Sequence, residues 1–478
     1  MFYCAYYKPY SPVCHPLLSR FYLSVLPRLL TKGPGREHNS GEVIALTRVC
    51  KIRIFLLLLP AALCVLCLLS ACGGQAAADA EHAAVPRFPP LREKDGLRIA
   101  VASDLHFNPD DRPDPEAPRE TAYSLELADA LFWDVRQQGA DLLILTGDLC
   151  NGGKPHRHEA LTEKLRALEA DGIAVYALPG NHDLAPVTQT EFAALYTDFG
   201  YGEASSRDTV SLSYSVIRDG LMLLMLDTAG YPAVSADLPG ASLPDSNRPC
   251  LSDETLRWAG ERLKEAQEKD LTVLAAGHYN VLAPGSRDDS YKGFYLESGE
   301  RLAALLEDAG VPLYLSGHIH SRAVYQEKAL TELVTEFLLG YPTAYSVLDL
   351  SEENIVYTPR RIDVDAWAQE SGQTDPVLLH FAQWQQDALR QYAHENVKYM
   401  SERSPLNAAE MQQAEEFFYG VMNSYWQGSL STDREKLETM PGYEPFFRCA
   451  EGYSYAWWLK DLITAASPLL KGFRIARP

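Results

Sequence analysis

The sequence predicts an α/β domain followed by an α-helical region. Three observations carry this. Short apolar runs alternate with helical patterns from Leu97 to about residue 309. Strand-like runs give way to long helical stripes after about residue 360. Five of the apolar runs end in polar or histidine-bearing turns, at the strand ends where α/β sheets place their sites.

Leu97–Ser103 opens the alternation. Asp141–Thr146, Ile173–Leu178, Leu271–Ala276 and Pro312–Ser316 follow as buried strands. Helical patterns fill the intervals near 121–138, 158–171, 252–269 and 299–309. Ser252, with Asp253 and Glu254 behind it, reads as a helix start. Leu212–Ile217 and Leu221–Leu226 flank Arg218-Asp219-Gly220, a hairpin-like turn. Leu333–Leu338, Tyr345–Leu350 and Asn354–Thr358 continue as strands. Some antiparallel pairing is therefore expected.

Beyond residue 360, Leu378, Phe381, Ala388 and Tyr392 form one helical stripe. Met411, Ala414, Phe418, Val421 and Tyr425 form another, and 454–471 a third helical stretch. Trp367, Trp384, Trp426, Trp457 and Trp458 lie here. Filling a small helical core is their ordinary role; lining a groove that stacks on a ring is the sharper one.

The 478 residues carry 46% hydrophobic and 22% charged residues, which excludes a disordered or collagen-like chain. The net charge of −21 argues against a protein that coats nucleic acid. That charge is uneven: residues 1–71 are net +6, which leaves −27 on the rest. Ile54–Ala71 is an uncharged apolar run behind Arg48, Lys51 and Arg53, and it ends in Leu69-Ser70-Ala71-Cys72. Basic flank, apolar stretch and small residues follow the order of an export signal. The ending resembles a bacterial lipobox, which implies lipidation of Cys72 as the first mature residue. An uncleaved transmembrane anchor is the alternative. Both place the body outside the cytoplasm. Residues 1–47 precede an already complete signal, so translation is expected to start nearer the run, at Val43, Leu46 or Val49. The expected organisation is a signal region (1–71), a tether (72–96), an α/β domain (97–360) and an aromatic-rich helical domain (361–478). With Cys72 lipidated, Cys150, Cys250 and Cys449 remain, so at most one disulfide is expected.

The chemistry lies at the strand ends. The five turns read Asp104-Leu105-His106, Gly147-Asp148, Gly180-Asn181-His182-Asp183, Gly277-His278 and Gly317-His318-Ile319-His320. If extended, each i, i+2 pair directs its side chains to one side. Asp104, His106, Asp148, Asn181, His278, His318 and His320 supply seven oxygen or nitrogen donors. That is more than one ion needs and suits two ions sharing a carboxylate. A donor set without sulfur favours Mn, Fe or Zn in a reactive site over a structural zinc. Singly, each turn is commonplace; five in order, each after an apolar run, are not. Among neighbouring residues, His158 is expected on a helix surface. Asn151 suits a turn or a substrate contact, and Cys150 no ligand role.

This set resembles the calcineurin-like metallophosphoesterase superfamily over about residues 97–350. The resemblance implies two β-sheets sandwiched between helices. It implies one metal held by Asp104, His106, Asp148 and His320, and another by Asp148, Asn181, His278 and His318. It implies His182 over the site as a catalytic histidine, with Asp183 orienting it. Hydrolysis by a hydroxide bridging the two metals is then expected. Tyr279-Asn280 depart from the His-Pro of many relatives, which leaves the substrate side of the pocket open.

The compact turns, and Leu251–Trp258 ahead of a helix, resemble class III cyclic-nucleotide phosphodiesterases of the bacterial lipoprotein type. A small phosphodiester, a cyclic nucleotide, is the expected substrate. A phosphomonoesterase or nucleotidase, or a diesterase acting on lipid headgroups, is the alternative. A non-catalytic surface binding protein is a third reading, which the intact donor set opposes. Long nucleic acid is not an expected partner, the membrane is met through the lipid anchor alone, and no oligomeric state is set.

Overall fold

The computed structural model describes residues 96–113, 120–229, 249–282, 295–453, 456, 459–460, 463 and 473–476. The apolar run, Cys72 and the tether fall outside them. Among the described residues, no helix is long and apolar enough to cross a membrane.

Among the described residues, thirteen strands form two mixed sheets. The first is built around β1 (Leu97–Ala102), a run buried at every position after Leu97. Parallel to β1 lies β2 (Leu142–Leu145), and parallel to β2 lies β3 (Ala174–Ala177). On the other side β11 (Ala344–Leu350), β12 (Asn354–Arg361) and β13 (Phe473–Ala476) continue antiparallel. Arg98, the one charge in β1, is buried opposite Asp349 of β11 and donates to its carboxylate at 2.7 Å.

The second sheet runs β4 (Ser206–Arg207), β5 (Tyr214–Arg218), β6 (Leu221–Met225), β7 (Thr272–Ala276), β8 (Leu313–Ser316), β10 (Leu330–Val334) and β9 (Ala323–Glu327). Asp219 and Gly220 join β5 to β6 with φ of 50° and 75°, the paired positive φ of a tight hairpin turn.

Helices α1 (Ser124–Gln137), α2 (Pro155–Ala170), α4 (Asp253–Glu268) and α5 (Gly299–Asp308) connect parallel strands, and α3 (Gln189–Leu195) lies on the passage from the first sheet to the second. Ser252 caps α4, its hydroxyl accepting from Thr255 N at 3.0 Å. That helix packs Leu256, Ala259, Leu263 and Ala266 into a core shared with Leu224 of β6 and Leu302 of α5. The two-sheet α/β architecture with a helical C-terminal region is thus the fold.

After β12 come α6 (Val364–Glu370), α7 (Pro376–Leu379), α8 (Phe381–Ser401), α9 (Ala408–Trp426), α10 (Leu430–Glu438) and α11 (Tyr443–Cys449). They are tied to the sandwich by side-chain hydrogen bonds. Tyr123 Oη donates to Asp375 at 3.2 Å, and Gln385 Nε2 to Thr343 Oγ1 at 2.7 Å.

Four expectations change. The strand expected at Leu333–Leu338 lies at Leu330–Val334, because the buried Glu332 interrupts the apolar pattern that sets the reading. The edge strand β9 was not expected, since its outer half is exposed and polar. The buried stripe of α8 is Phe381, Gln385, Leu389, Ala393 and Val397, not one through Ala388 and Tyr392. His380 breaks the helix before Phe381, and hydropathy hides a buried glutamine. Strands also resume after the helices, as β13. Of the tryptophans, Trp367 is buried, while Trp384 packs against Tyr123 and Phe381 at the junction with the sandwich. Cys150, Cys250 and Cys449 are all free thiols.

Candidate metal centre and active site

The turn after β1 and the turn after β2 run side by side beyond their strands. Asp104 N donates to Gly147 O at 3.0 Å and His106 N to Asp148 O at 2.9 Å. This brings Asp104, His106 and Asp148 together. The turns after β7 and β8 meet likewise, Gly317 N donating to His278 O at 3.0 Å. The sheets are linked at this edge by His318 N, which donates to Asp104 Oδ2 at 3.0 Å.

Five of the seven donor residues hold left-handed backbone: Asp104, His106, Asp148, His318 and His320, with φ between 42° and 70°. The i, i+2 pairs are therefore not extended, as expected from sequence, but coiled tightly at the strand ends. Non-glycine residues adopt this region at a cost and cluster there at functional sites.

Asp148 Oδ2 stands at the centre. It lies 3.5 Å from His106 Nε2, 3.4 Å from His278 Nε2 and 3.9 Å from His182 Nε2. Its other oxygen accepts from His182 N at 2.7 Å. On one flank, Asp104 Oδ1 faces His320 Nε2 at 3.2 Å, and His320 Nε2 lies 3.3 Å from His106 Nε2. Asp104, His106, Asp148 and His320 thus offer four donor atoms within 4.8 Å of one another, a candidate metal site. On the other flank, His278 Nε2 lies 3.1 Å from Asn181 Oδ1, and the His278 and His318 rings are 5.0 Å apart. The structure brings all seven predicted donors to one place.

Several imidazoles are held from behind. His278 Nδ1 donates to Thr146 O at 3.0 Å, which directs Nε2 into the site. Phe337 stacks on His320 at 4.5 Å, and the Tyr279 ring lies 4.0 Å from that of His318.

Burial alone would raise the two carboxyls. The surrounding imidazoles outweigh it and hold Asp104 and Asp148 well below the ordinary carboxylate range. Burial lowers His182 to about 4 and, with His278 beside it, His318 to about 3. His278 goes the other way. Burial depresses it, but Asp148 and Asp104 push it up to about 9. The result is two buried, ionised carboxylates ringed by nitrogen donors. Buried negative charge of this kind calls for bound cations. The residues fit a metal centre.

Of the residues expected to be catalytic, His182 sits on the open side of the site, its side chain 19% exposed. Asp183 does not face the cavity. Its carboxylate accepts from Leu149 N, Cys150 N and Gly180 N at 3.0, 2.8 and 2.8 Å, clamping the turns after β2 and β3 together. His158 is not on a helix surface, as expected, but fully buried. Its Nδ1 accepts from Tyr196 Oη at 2.9 Å and its Nε2 donates to Asp183 O at 3.1 Å. Residues unread in the sequence support the second sheet's turns. Glu332 is wholly buried beneath the His278 and His318 turns, and Glu336 pairs with Arg322 two residues after His320. The available signal was a charge inside each apolar run.

The helical region reaches this edge. Ser321 Oγ, next to His320, donates to Tyr425 O of α9 at 3.0 Å.

Comparison with known proteins follows these two parts of the chain. Residues 97–322 match the calcineurin-like phosphoesterase family, and residues 363–464 match the C-terminal domain of cyclic nucleotide phosphodiesterase. A Synechococcus sp. protein named "Probable cyclic nucleotide phosphodiesterase" is 27% identical over 288 residues, covering 60% of this chain and 96% of its own. A 3′,5′-cyclic-nucleotide phosphodiesterase from Nostoc sp. is 28% identical over 233 residues, 48% of this chain and 74% of its own. A dimetal phosphatase from Danio rerio aligns over 55% of this chain and 96% of its own at 14% identity, with a TM-score of 0.44. With a candidate metal site at the shared edge of two sheets, the chain is a hydrolase that carries a calcineurin-like phosphoesterase domain over residues 97–322, followed over residues 363–464 by a match to the C-terminal domain of cyclic nucleotide phosphodiesterase.

Proposed function

We propose that the protein hydrolyses small phosphodiesters, cyclic nucleotides first among them, at a site for two metal ions. The observation that carries the substrate class is the second family match. Residues 363–464 match the domain that cyclic nucleotide phosphodiesterases carry, and their helix α9 contacts the turn that bears His320.

In this reading Asp104, His106, Asp148 and His320 hold one ion. Asp148, Asn181, His278 and His318 would hold the other, with Asp148 common to both sets. Mn, Fe or Zn suits these donors. When bound, such a pair activates water and offsets charge on a phosphoryl group.

The chain's own residues do the rest. The neutral imidazole of His182 stands on the exposed side, beside Asp148 rather than behind it. There its single N–H would donate a hydrogen bond to a phosphoryl oxygen, and only its protonated form would give up a proton to the leaving oxygen and return to the neutral imidazole. Asp183, held by three backbone N–H groups, fixes the loop that presents it.

His182→Ala is expected to keep its metal content by elemental analysis and lose on the order of 10²–10⁴-fold in kcat. Loss of the metals in that variant would put His182 among the ligands instead. The substrate class is tested with 3′,5′- and 2′,3′-cyclic nucleotides, bis-p-nitrophenyl phosphate and p-nitrophenyl phosphate. Diester turnover led by a cyclic nucleotide supports the proposal; preference for the monoester overturns it in favour of a phosphatase.

The same proposal places the enzyme outside the cytoplasm, tethered through a lipid on Cys72 of Leu69-Ser70-Ala71-Cys72. Metabolic labelling with a fatty acid, lost in Cys72→Ser, is the expected result.

A further inference from the structure

The donors His278 and His318 follow β7 and β8, two neighbouring parallel strands. Backbone bonds join the strands and run on into the turns, Gly277 N donating to Leu315 O at 2.9 Å and Gly317 N to His278 O at 3.0 Å. A buried carboxylate from the next strand adds a side-chain brace between the two turns. Glu332, in the middle of β10, is 0% exposed. It accepts from Val281 N at 3.1 Å, Leu282 N at 2.5 Å, Asn280 Nδ2 at 3.3 Å and Ser316 Oγ at 2.6 Å. Three of these donors lie two to four residues after His278, and the fourth lies two residues before His318.

Asn280 closes the network. Its Nδ2 also reaches Ser316 Oγ at 2.9 Å and Gly317 O at 3.2 Å. The Gly317 carbonyl and the Glu332 carboxylate can only accept, which fixes the amide with Nδ2 toward them. Asn280 and Ser316 are, like Glu332, 0% exposed. A charge placed inside an apolar strand is unfavourable unless every partner is supplied, and here four donors converge on it.

We infer that Glu332, acting through Asn280 and Ser316, is the positioning residue for the His278–His318 half of the metal centre. It sets the spacing of the two turns and leaves the Asp104–His106–His320 half to other supports. The inference rests on the two-ion reading given above.

The test measures Mn²⁺ bound per chain across a range of free Mn²⁺, using the whole protein. His278→Ala identifies which binding step belongs to this half. Glu332→Gln removes one acceptor oxygen and sets an amide against backbone N–H groups. Ser316→Ala removes a single hydroxyl. Both are expected to weaken the step lost in His278→Ala by roughly 10–100-fold, the usual effect of a residue behind a ligand, and to leave the other step within about 3-fold. Leu306→Ala, in the core behind the same sheet, is expected to lower Tm while both steps stay. If wild type binds one ion, the two-ion reading fails. If wild type binds two, and Ser316→Ala and Glu332→Gln bind both as tightly, the inference is overturned. The same holds if Leu306→Ala weakens the step equally. Should Glu332→Gln not fold, Ser316→Ala decides the matter alone.

Discussion

Left-handed backbone at Asp104, His106, Asp148, His318 and His320 costs roughly 1–2 kcal/mol per residue. The fold supplies that from around the site, and glycines make the room. A Cβ on Gly317 would collide with Ser103 and the carboxylate of Asp104; one on Gly180 would collide with Asp148. Gly317→Ala is therefore expected to bind metal at least about 10-fold more weakly while the protein still folds, read by metal titration alongside circular dichroism. His158 gives a prediction in pH. Burial lowers it to about 4, against an ordinary value near 6.5. Between those values the unfolded chain binds the proton first, so this group makes stability rise with pH across that window and fall as acid is added. His158→Phe removes both hydrogen bonds and is expected to cost about 1–3 kcal/mol at pH 7. Its deficit against wild type narrows by pH 4.5, as urea midpoints at the two pH values would show. A deficit that stays constant would mean the imidazole is not held neutral.

Among elements, what the sequence made legible depended on how far local pattern agreed with burial. β1, β2, β3, β7 and β8 are mostly apolar, and α4 has a serine cap and an acidic first turn, so each lies within two residues of its expected bounds. β10 and α8 were misplaced for one reason: each buries a polar residue whose partners come from elsewhere in the chain. Glu332 needs the turns after β7 and β8, and Gln385 needs Thr343. A window of sequence does not contain them. The site divides along the same line. The donors announce themselves in short motifs, whereas Glu332, His158 and Phe337 act through contacts made only in the fold. Gln385→Leu keeps the volume but leaves the Thr343 hydroxyl without its donor. It is expected to cost about 1–3 kcal/mol in chemical denaturation, because a buried acceptor is left unpaired.

For the whole molecule, the acidic composition and the site are reconciled by cations that the net charge does not count. The two ionised carboxylates repel one another until an ion joins them. Chelation is therefore expected to destabilise the fold as well as stop turnover. An ion held at 100 times its Kd contributes about 2.7 kcal/mol, a shift of several degrees in Tm by calorimetry with and without chelator. An unchanged Tm would argue that the native state does not bind the ion.

The placement of β13 bears on how such a chain is made. Because β12 and β13 are neighbours in the first sheet, the helices α6 to α11 are an insertion between two paired strands rather than an appendage. A chain interrupted anywhere in the helices has every metal ligand but leaves the edge of β12 bare, and bare edges invite pairing with other chains. The strand that seals this edge of the first sheet is thus made only after all six helices. Ribosomes stalled within α6 to α11 would therefore hold a sheet whose β12 edge is still open to other chains.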